Sequence, residues 1–199
     1  MKFVEPITDK KKITAMKSVL KSGTYGPRNE LLFSIGINTA YRISDLRQLK
    51  LSDVLHVYRG KVKVRDYLEM KEQKTKKNNS ILIQKKLQRA ILEYVDENFY
   101  EEIQNHDFDH YLFPSRLGED QPLSRKRLWA IIHDAADAVG LKRVGPHSMR
   151  KTFGYFLYKN NTPMAIIQDL LNHSSEKETL RYIGITQNDK DTAVKSLDL

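Results

Sequence analysis

The sequence predicts an α+β domain, mainly helical, with a small antiparallel β-sheet on one side. Three observations carry that expectation. Apolar residues recur at helical spacing before residue 57 and after residue 83. Between those points the period shortens to two. Glycine, proline and capping residues fall where one pattern gives way to the next. A chain of 199 residues is long enough to bury a real core, and it divides into one domain over residues 5–185 and a C-terminal tail over residues 186–199.

Asp9 is a plausible N-cap for a first helix with Ile13, Met16 and Leu20 inward, and Ser22 to Pro27 form the turn that ends it. From Arg28 a second helix presents Leu31, Leu32 and Ile35, and a short helix begins near Ser44 with Leu46 and Leu49 inward. Val62 and Val64 alternate with charges, and Ser80 to Ile83 form a further strand-like run. The connection between them, Glu72 to Asn79, is a basic hairpin: solvated by default, but able to reach a phosphate backbone. Residues 85–99 return to helix, with Leu87, Ala90, Ile91 and Val95 on one side.

Asn105 to His110 brings two histidines and two carboxylates together in a pattern that could ligate zinc or manganese. No helical pattern surrounds them to hold such ligands in place, so the segment reads as a polar loop and no metal site is assigned. Ser124 caps a long helix carrying Leu128, Trp129, Ile132, Ala135 and Ala136, with Trp129 expected in the core and Gly140 as its stop. After Val144-Gly145-Pro146 a helix to Tyr158 is expected to bury Phe153, Phe156 and Leu157. Thr162 and Pro163 form a cap and first-turn pair for the next helix, through Ile166, Ile167, Leu170 and Leu171. Ser175 and Glu178 form a capping box for the short helix leading to Tyr182.

Composition narrows the function. Lys and Arg number 34 against 25 Asp and Glu, giving a net charge of +9 and a pI near 9.5. A basic surface of this size attracts polyanions, nucleic acid above all. With no cysteine, thiol nucleophiles, disulfides and cysteine-ligated zinc are excluded. The start MKFVEPITDKKK lacks the apolar core of a signal peptide, and no apolar run approaches the roughly eighteen residues of a membrane span. A cytoplasmic protein without a membrane partner is expected.

The stretch from His147 to Tyr182 organises the chemistry. His147 and Arg150 lie three apart, on one helix face. Leu171-Asn172-His173-Ser174-Ser175 follows, and Tyr182 comes nine residues after His173. Two imidazoles, a guanidinium and a phenol suit a phosphorus-centred anion that must be gripped, protonated and attacked. Arg42, in Ala40-Tyr41-Arg42-Ile43-Ser44-Asp45-Leu46, adds a second guanidinium; taken alone it reads as a surface arginine pairing with Asp45.

Together these segments resemble the catalytic domain of the tyrosine recombinases, the phage-integrase family. The Arg42 segment is similar to that family's first arginine box, His147-Ser148-Met149-Arg150 to its H-x-L-R box, and Leu171 to Ser175 to its L-G-H-S-S box. Thr179 and Tyr182 follow at the family's distance, and Phe113-Pro114-Ser115 falls where the family has it. The likeness spans about residues 5–185. It departs at Ala40, Asp45, Met149, Lys151 and Asn172, where the family has glycine, glutamate, leucine, often histidine, and glycine.

The resemblance implies a DNA strand transferase that cleaves and rejoins DNA through a 3′-phosphotyrosine. Its catalytic set would be Arg42, Lys74, His147, Arg150, His173 and the nucleophile Tyr182. Lys74 is the best match to the family's hairpin lysine, the general acid, with Lys76 and Lys77 as alternatives. It implies no cofactor and no metal, since two guanidiniums can grip phosphate oxygens and the phosphotyrosine preserves the energy of the broken bond. It further implies double-stranded DNA as substrate, a homotetramer on that DNA, accessory DNA-bending proteins, association with the nucleoid, and integration or excision of a mobile element. The alternatives are DNA relaxation of the type IB topoisomerase kind and a non-catalytic DNA-binding module. The family usually carries a helical core-binding domain ahead of the catalytic one; here 41 residues precede Arg42. The tail's Ala193, Val194 and Leu197 form a weak apolar stripe suited to packing on a neighbouring protomer.

Overall fold

A computed structural model describes residues 4–72, 77–118 and 121–197. It is mainly helical with antiparallel β-structure, as the periodicities predict. The chain begins with α1 (Lys10–Lys21) and α2 (Gly26–Asn38), then two single turns, α3 (Ile43–Leu46) and α4 (Leu51–Val54). Four short strands follow: β1 (Leu55–Tyr58), β2 (Lys61–Val64), β3 (Tyr67–Lys71) and β4 (Asn78–Leu82). The remainder is α5 (Lys85–Asn98), α6 (Tyr100–Gln104), α7 (Arg125–Ala138), α8 (Pro146–Lys159), α9 (Met164–Leu170), α10 (Glu176–Ile183) and α11 (Gln187–Lys195). No helix among the described residues is long and apolar enough to cross a membrane.

The second helix is the centre of the molecule. Leu31, Leu32, Phe33 and Ile35 are all buried, on more than one side of α2, because the helix packs against α1, α5 and α8 together. It starts at Gly26 rather than Arg28, with Pro27 in its first turn, where the missing N–H costs nothing. Gly36 lets α8 approach: a Cβ there would lie 2.6 Å from the Met149 Sδ. That approach fixes the helix carrying His147 and Arg150.

The single small sheet expected from the sequence is two separate two-stranded ladders, β1 with β2 and β3 with β4. The second ladder matters for the site. It runs in the register Tyr67 to Leu82 through Lys71 to Asn78, and the Glu72 N–H donates to the Lys77 carbonyl just beyond it.

Three packing expectations are corrected. Trp129 is 50% exposed and stacks on His133, with ring centroids 4.4 Å apart. The inward face of α7 is filled by Leu128, Ile132, Ala135 and Ala136, and Trp129 stands about 100° round from Leu128. Phe153, Phe156 and Leu157 are only half-buried, because α8 turns inward chiefly through its first half: Ser148, Met149, Arg150, Lys151 and Thr152. Pro163, not Thr162, occupies the N-cap of α9, which has no side-chain cap. Ile166 on that helix is exposed while Ile167 is buried.

Candidate active site

Arg42 stands in extended backbone at the N-cap of α3. The segment is anchored by its neighbour Tyr41, which is buried with its hydroxyl 2.6 Å from the Leu68 carbonyl and 2.7 Å from that of Asn79. The first arginine is thereby tied to the β3–β4 hairpin. Its guanidinium Nη1 donates to Glu72 Oε2, so Arg42 is ion-paired across the fold to a carboxylate the sequence reading left in a solvated loop.

Arg150, the fifth residue of α8, is almost wholly buried, at 2% exposure. Nη1 donates to the Ala40 carbonyl and, at 3.1 Å, to Glu72 Oε1; Nη2 donates to the Leu171 carbonyl. A further hydrogen bond joins it to the Tyr182 side chain. His147 lies one turn earlier on the same helix, exposed.

The path to His173 depends on Asn172, whose φ is +49°. That left-handed residue ends α9 and turns the chain so that the next side chain faces inward. The glycine of the family's box meets the same demand with no Cβ, and asparagine is among the side chains that tolerate it best. His173 is half-buried, with Nδ1 3.1 Å from Thr179 Oγ1. The threonine's own hydrogen goes to the Ser175 carbonyl, so His173 Nδ1 is the donor and Nε2 keeps its lone pair. Burial, helped by the Arg150 and Arg42 charges, pushes His173 down to about 4. The imidazole is therefore neutral at physiological pH.

Tyr182 lies on α10, its ring edge-on to His173 with centroids 4.7 Å apart. Ser175 caps this helix through the Glu178 N–H at 3.1 Å, as the sequence predicts. The Glu178 carboxylate turns instead to Ser174, accepting from both its N–H and its hydroxyl. Burial raises the Tyr182 phenol, while Arg150 and Arg42 pull it back toward ionisation. Lys151 places its Nζ 5.1 Å from the ring centroid, a cation over the π face. Gly154 lets α10 pack closely on α8, since a Cβ there would lie 2.7 Å from Ile183 Cγ2.

Five of the six expected site residues are thus described. Arg42, Arg150, His173 and Tyr182 are linked to one another, directly or through Glu72, and His147 sits one turn from Arg150. Lys74 and Lys76 lie outside the described residues. Lys77 is exposed, and its carbonyl accepts from the Glu72 N–H at 2.9 Å. The loop reading of Asn105 to His110 matches what is seen: His110 pairs with Asp107 at 3.1 Å and Asp109 with Lys50. Glu72 is the residue that sequence reasoning passed over. The alternation of β3 carried the signal, because Leu68 and Met70 face inward and Glu72 has the same parity.

Two guanidiniums, an imidazole and a phenol drawn together from distant segments, with a second imidazole one turn from Arg150, are the groups that breaking and rejoining a phosphodiester needs. Comparison with known proteins places the chain in the class of enzymes that break and rejoin DNA strands. The family described as the Phage integrase family matches residues 7–189. A probable integrase/recombinase of Bacillus subtilis (strain 168), YoeC, is 38% identical over 195 residues, 98% of this chain and 97% of that protein. The tyrosine recombinase XerA of Pyrococcus furiosus is 28% identical over 173 residues, 86% of this chain but 55% of its own length. The chain thus spans about half the length of such Xer relatives. Among solved structures, XerA recombinase superposes with a TM-score of 0.73 at 21% identity, covering 98% of this chain and 66% of that one. XerH bound to palindromic difH substrate, a post-cleavage complex, gives 0.74 at 19%, covering 98% and 53%. The chain belongs to the phage integrase family, the tyrosine recombinases.

Proposed function

We propose that residues 5–185 are the catalytic domain of a site-specific DNA recombinase that joins Tyr182 to a 3′ phosphate and then transfers that strand, integrating or excising a mobile element. The observation that carries this reading is the Tyr182 environment: a phenol hydrogen-bonded by Arg150, flanked by a neutral His173 and covered by the Lys151 cation.

The chemistry follows from those groups. The Tyr182 oxygen attacks the scissile phosphorus, and its proton passes to His173 Nε2, the ring nitrogen that Thr179 leaves open. Arg42 and Arg150 take the charge that gathers on the non-bridging oxygens, and His147 donates a further hydrogen bond there. The 5′ oxygen leaves with a proton from Lys74, or from Lys76 or Lys77. The reverse sequence, with a new 5′ hydroxyl, rejoins the strand.

The substrate is double-stranded DNA, in line with the XerH structure, which is bound to a palindromic difH substrate. Recombination places four protomers on two duplexes, with accessory bending proteins as further partners and the nucleoid as the site of action. In this arrangement α11 and the residues just after it pack on a neighbour, with Val194 and Leu197, 67% and 60% exposed, as the contact.

The test is covalent trapping. The protein is incubated with duplexes spanning the junction of its own element with the host, nicked beside the scissile phosphate so that cleavage cannot reverse. A DNA-linked band from the wild type, absent with Tyr182→Phe, is expected. A band that survives Tyr182→Phe sinks the assignment. Plasmid relaxation without sequence preference would move the function to a topoisomerase.

A further inference from the structure

Glu72 is fully buried, at 0% exposure, and its two oxygens are divided between the two site arginines, Oε2 to Arg42 and Oε1 to Arg150 at 3.1 Å. We propose that Glu72 is a positioning residue for strand cleavage, a carboxylate strut that sets the separation of the two guanidiniums and couples it to the lysine hairpin. The inference rests on the recombinase reading above and deepens it.

Three observations support the strut over a carboxylate that merely fills the phosphate's place. Arg42 keeps 16% of its side chain exposed while Glu72 exposes none, so an arriving phosphate reaches the arginine and not the acid. A guanidinium carries five N–H donors. Arg42 spends one on Glu72 and has others to offer, whereas Arg150 is pinned by Ala40, Glu72 and Leu171, so the strut joins a fixed guanidinium to one that can still receive a phosphate. Finally, the Glu72 N–H bonds the Lys77 carbonyl at 2.9 Å, immediately across the base of the hairpin that holds Lys74. One residue therefore touches both site arginines through its side chain and Lys77 through its backbone.

Charge sets the expected phenotype. Without the strut, two adjacent like charges repel and separate, but the net positive charge offered to a diester rises. DNA should bind at least as tightly while cleavage slows, a loss confined to the transition state.

The experiment compares wild type, Glu72→Gln, Glu72→Asp and Tyr182→Phe by single-turnover trapping on the nicked junction duplex, with DNA affinity and thermal midpoint measured alongside. Glu72→Gln preserves size and reach but cannot accept equally from two guanidiniums. Glu72→Asp keeps the charge but is one methylene short. Both are expected to cut roughly 10- to 100-fold more slowly per DNA-bound molecule, with affinity unchanged or tighter. A merely structural role would lower the thermal midpoint and leave the rate of the bound, folded protein at the wild-type value, which overturns the proposal. Faster cleavage by Glu72→Gln also overturns it, by showing that the carboxylate competes with the phosphate. A wild type that forms no band, where a Xer relative does on its own site, overturns the recombinase reading and this inference with it. A wild-type band with an unaffected Glu72→Gln removes this inference alone.

Discussion

At position 172 the backbone, not the side chain, decides what is tolerated. The φ of +49° that aims His173 inward suits glycine or asparagine and penalises a β-branched residue. Asn172→Gly should therefore leave stability and trapping close to wild type. Asn172→Val should lose roughly 1–2 kcal/mol in denaturant unfolding and displace His173. His173 itself makes stability depend on pH. Its folded-state value of about 4 lies below the ordinary 6.5, so between those values the unfolded chain takes up a proton that the folded chain refuses. The stabilisation is complete above pH 6.5 and is lost as pH falls toward 4. Since the ring is only half-buried, screening reduces the effect to roughly 1–2 kcal/mol. Unfolding curves at pH 7 and pH 4.5 should differ by about that much more in the wild type than in His173→Gln; equal differences would reject the assignment. At this scale Arg42, His147, Arg150, His173 and Tyr182 drew attention in the sequence because their residue types at that spacing suit one chemistry, whereas the choice among Lys74, Lys76 and Lys77 stayed open. Glu72 drew none, because a carboxylate among lysines looks solvated until strand parity is followed past Met70.

Elements place these residues by close approach. Gly154 sits mid-helix, where alanine ordinarily gains about 0.5–1 kcal/mol in propensity. Here the new Cβ would meet Ile183 Cγ2 at 2.7 Å and Leu171 Cδ1 at 3.0 Å. Overpacking costs about 1–3 kcal/mol, and the Cγ2 of a β-branched residue has little room to yield, so the clash outweighs the propensity. Gly154→Ala should lower stability by roughly 1 kcal/mol and slow trapping, because the side chains displaced flank both His173 and Tyr182. A stabilised Gly154→Ala would show that α10 moves freely. The long helices were readable from apolar spacing; the short α4 and α6 and the polar α11 in the tail, with too few apolar residues to set a period, were not. Nor was the split of the β-structure into two ladders, because alternation reports which face a residue takes and says nothing of which strand lies beside it. The half-burial of Phe153 and Phe156 was hidden for a related reason: the first half of α8 spends its inward face on Arg150 and Lys151, and hydropathy alone ranks those outside.

For the whole molecule the net charge of +9 sets the terms of binding. Neutralising six or more phosphates releases counterions, so DNA affinity should fall about a thousandfold or more between 50 and 200 mM salt. A shallow dependence in filter binding would mean that far fewer phosphates are engaged. Removal of residues after Lys190 should leave trapping on one nicked site intact and weaken assembly on paired sites, measured by gel shift; normal assembly would assign α11 no role between protomers. Charge and mainly helical character were plain from composition and period. The convergence of residues 42, 72, 150 and 182 was not, since no local pattern records which distant segments meet.

Arg150 donates to Ala40, Glu72 and Leu171, segments that come from opposite ends of the chain. Contacts so remote in sequence form late, after most of the loop-closure entropy has been overcome. A chain still emerging from the ribosome presents Arg42 and Glu72 long before Arg150 or Tyr182 exists. The two guanidiniums, their shared carboxylate and the phenol thus come together in one step with the finished fold, and no part of the chain assembles that cluster ahead of the rest.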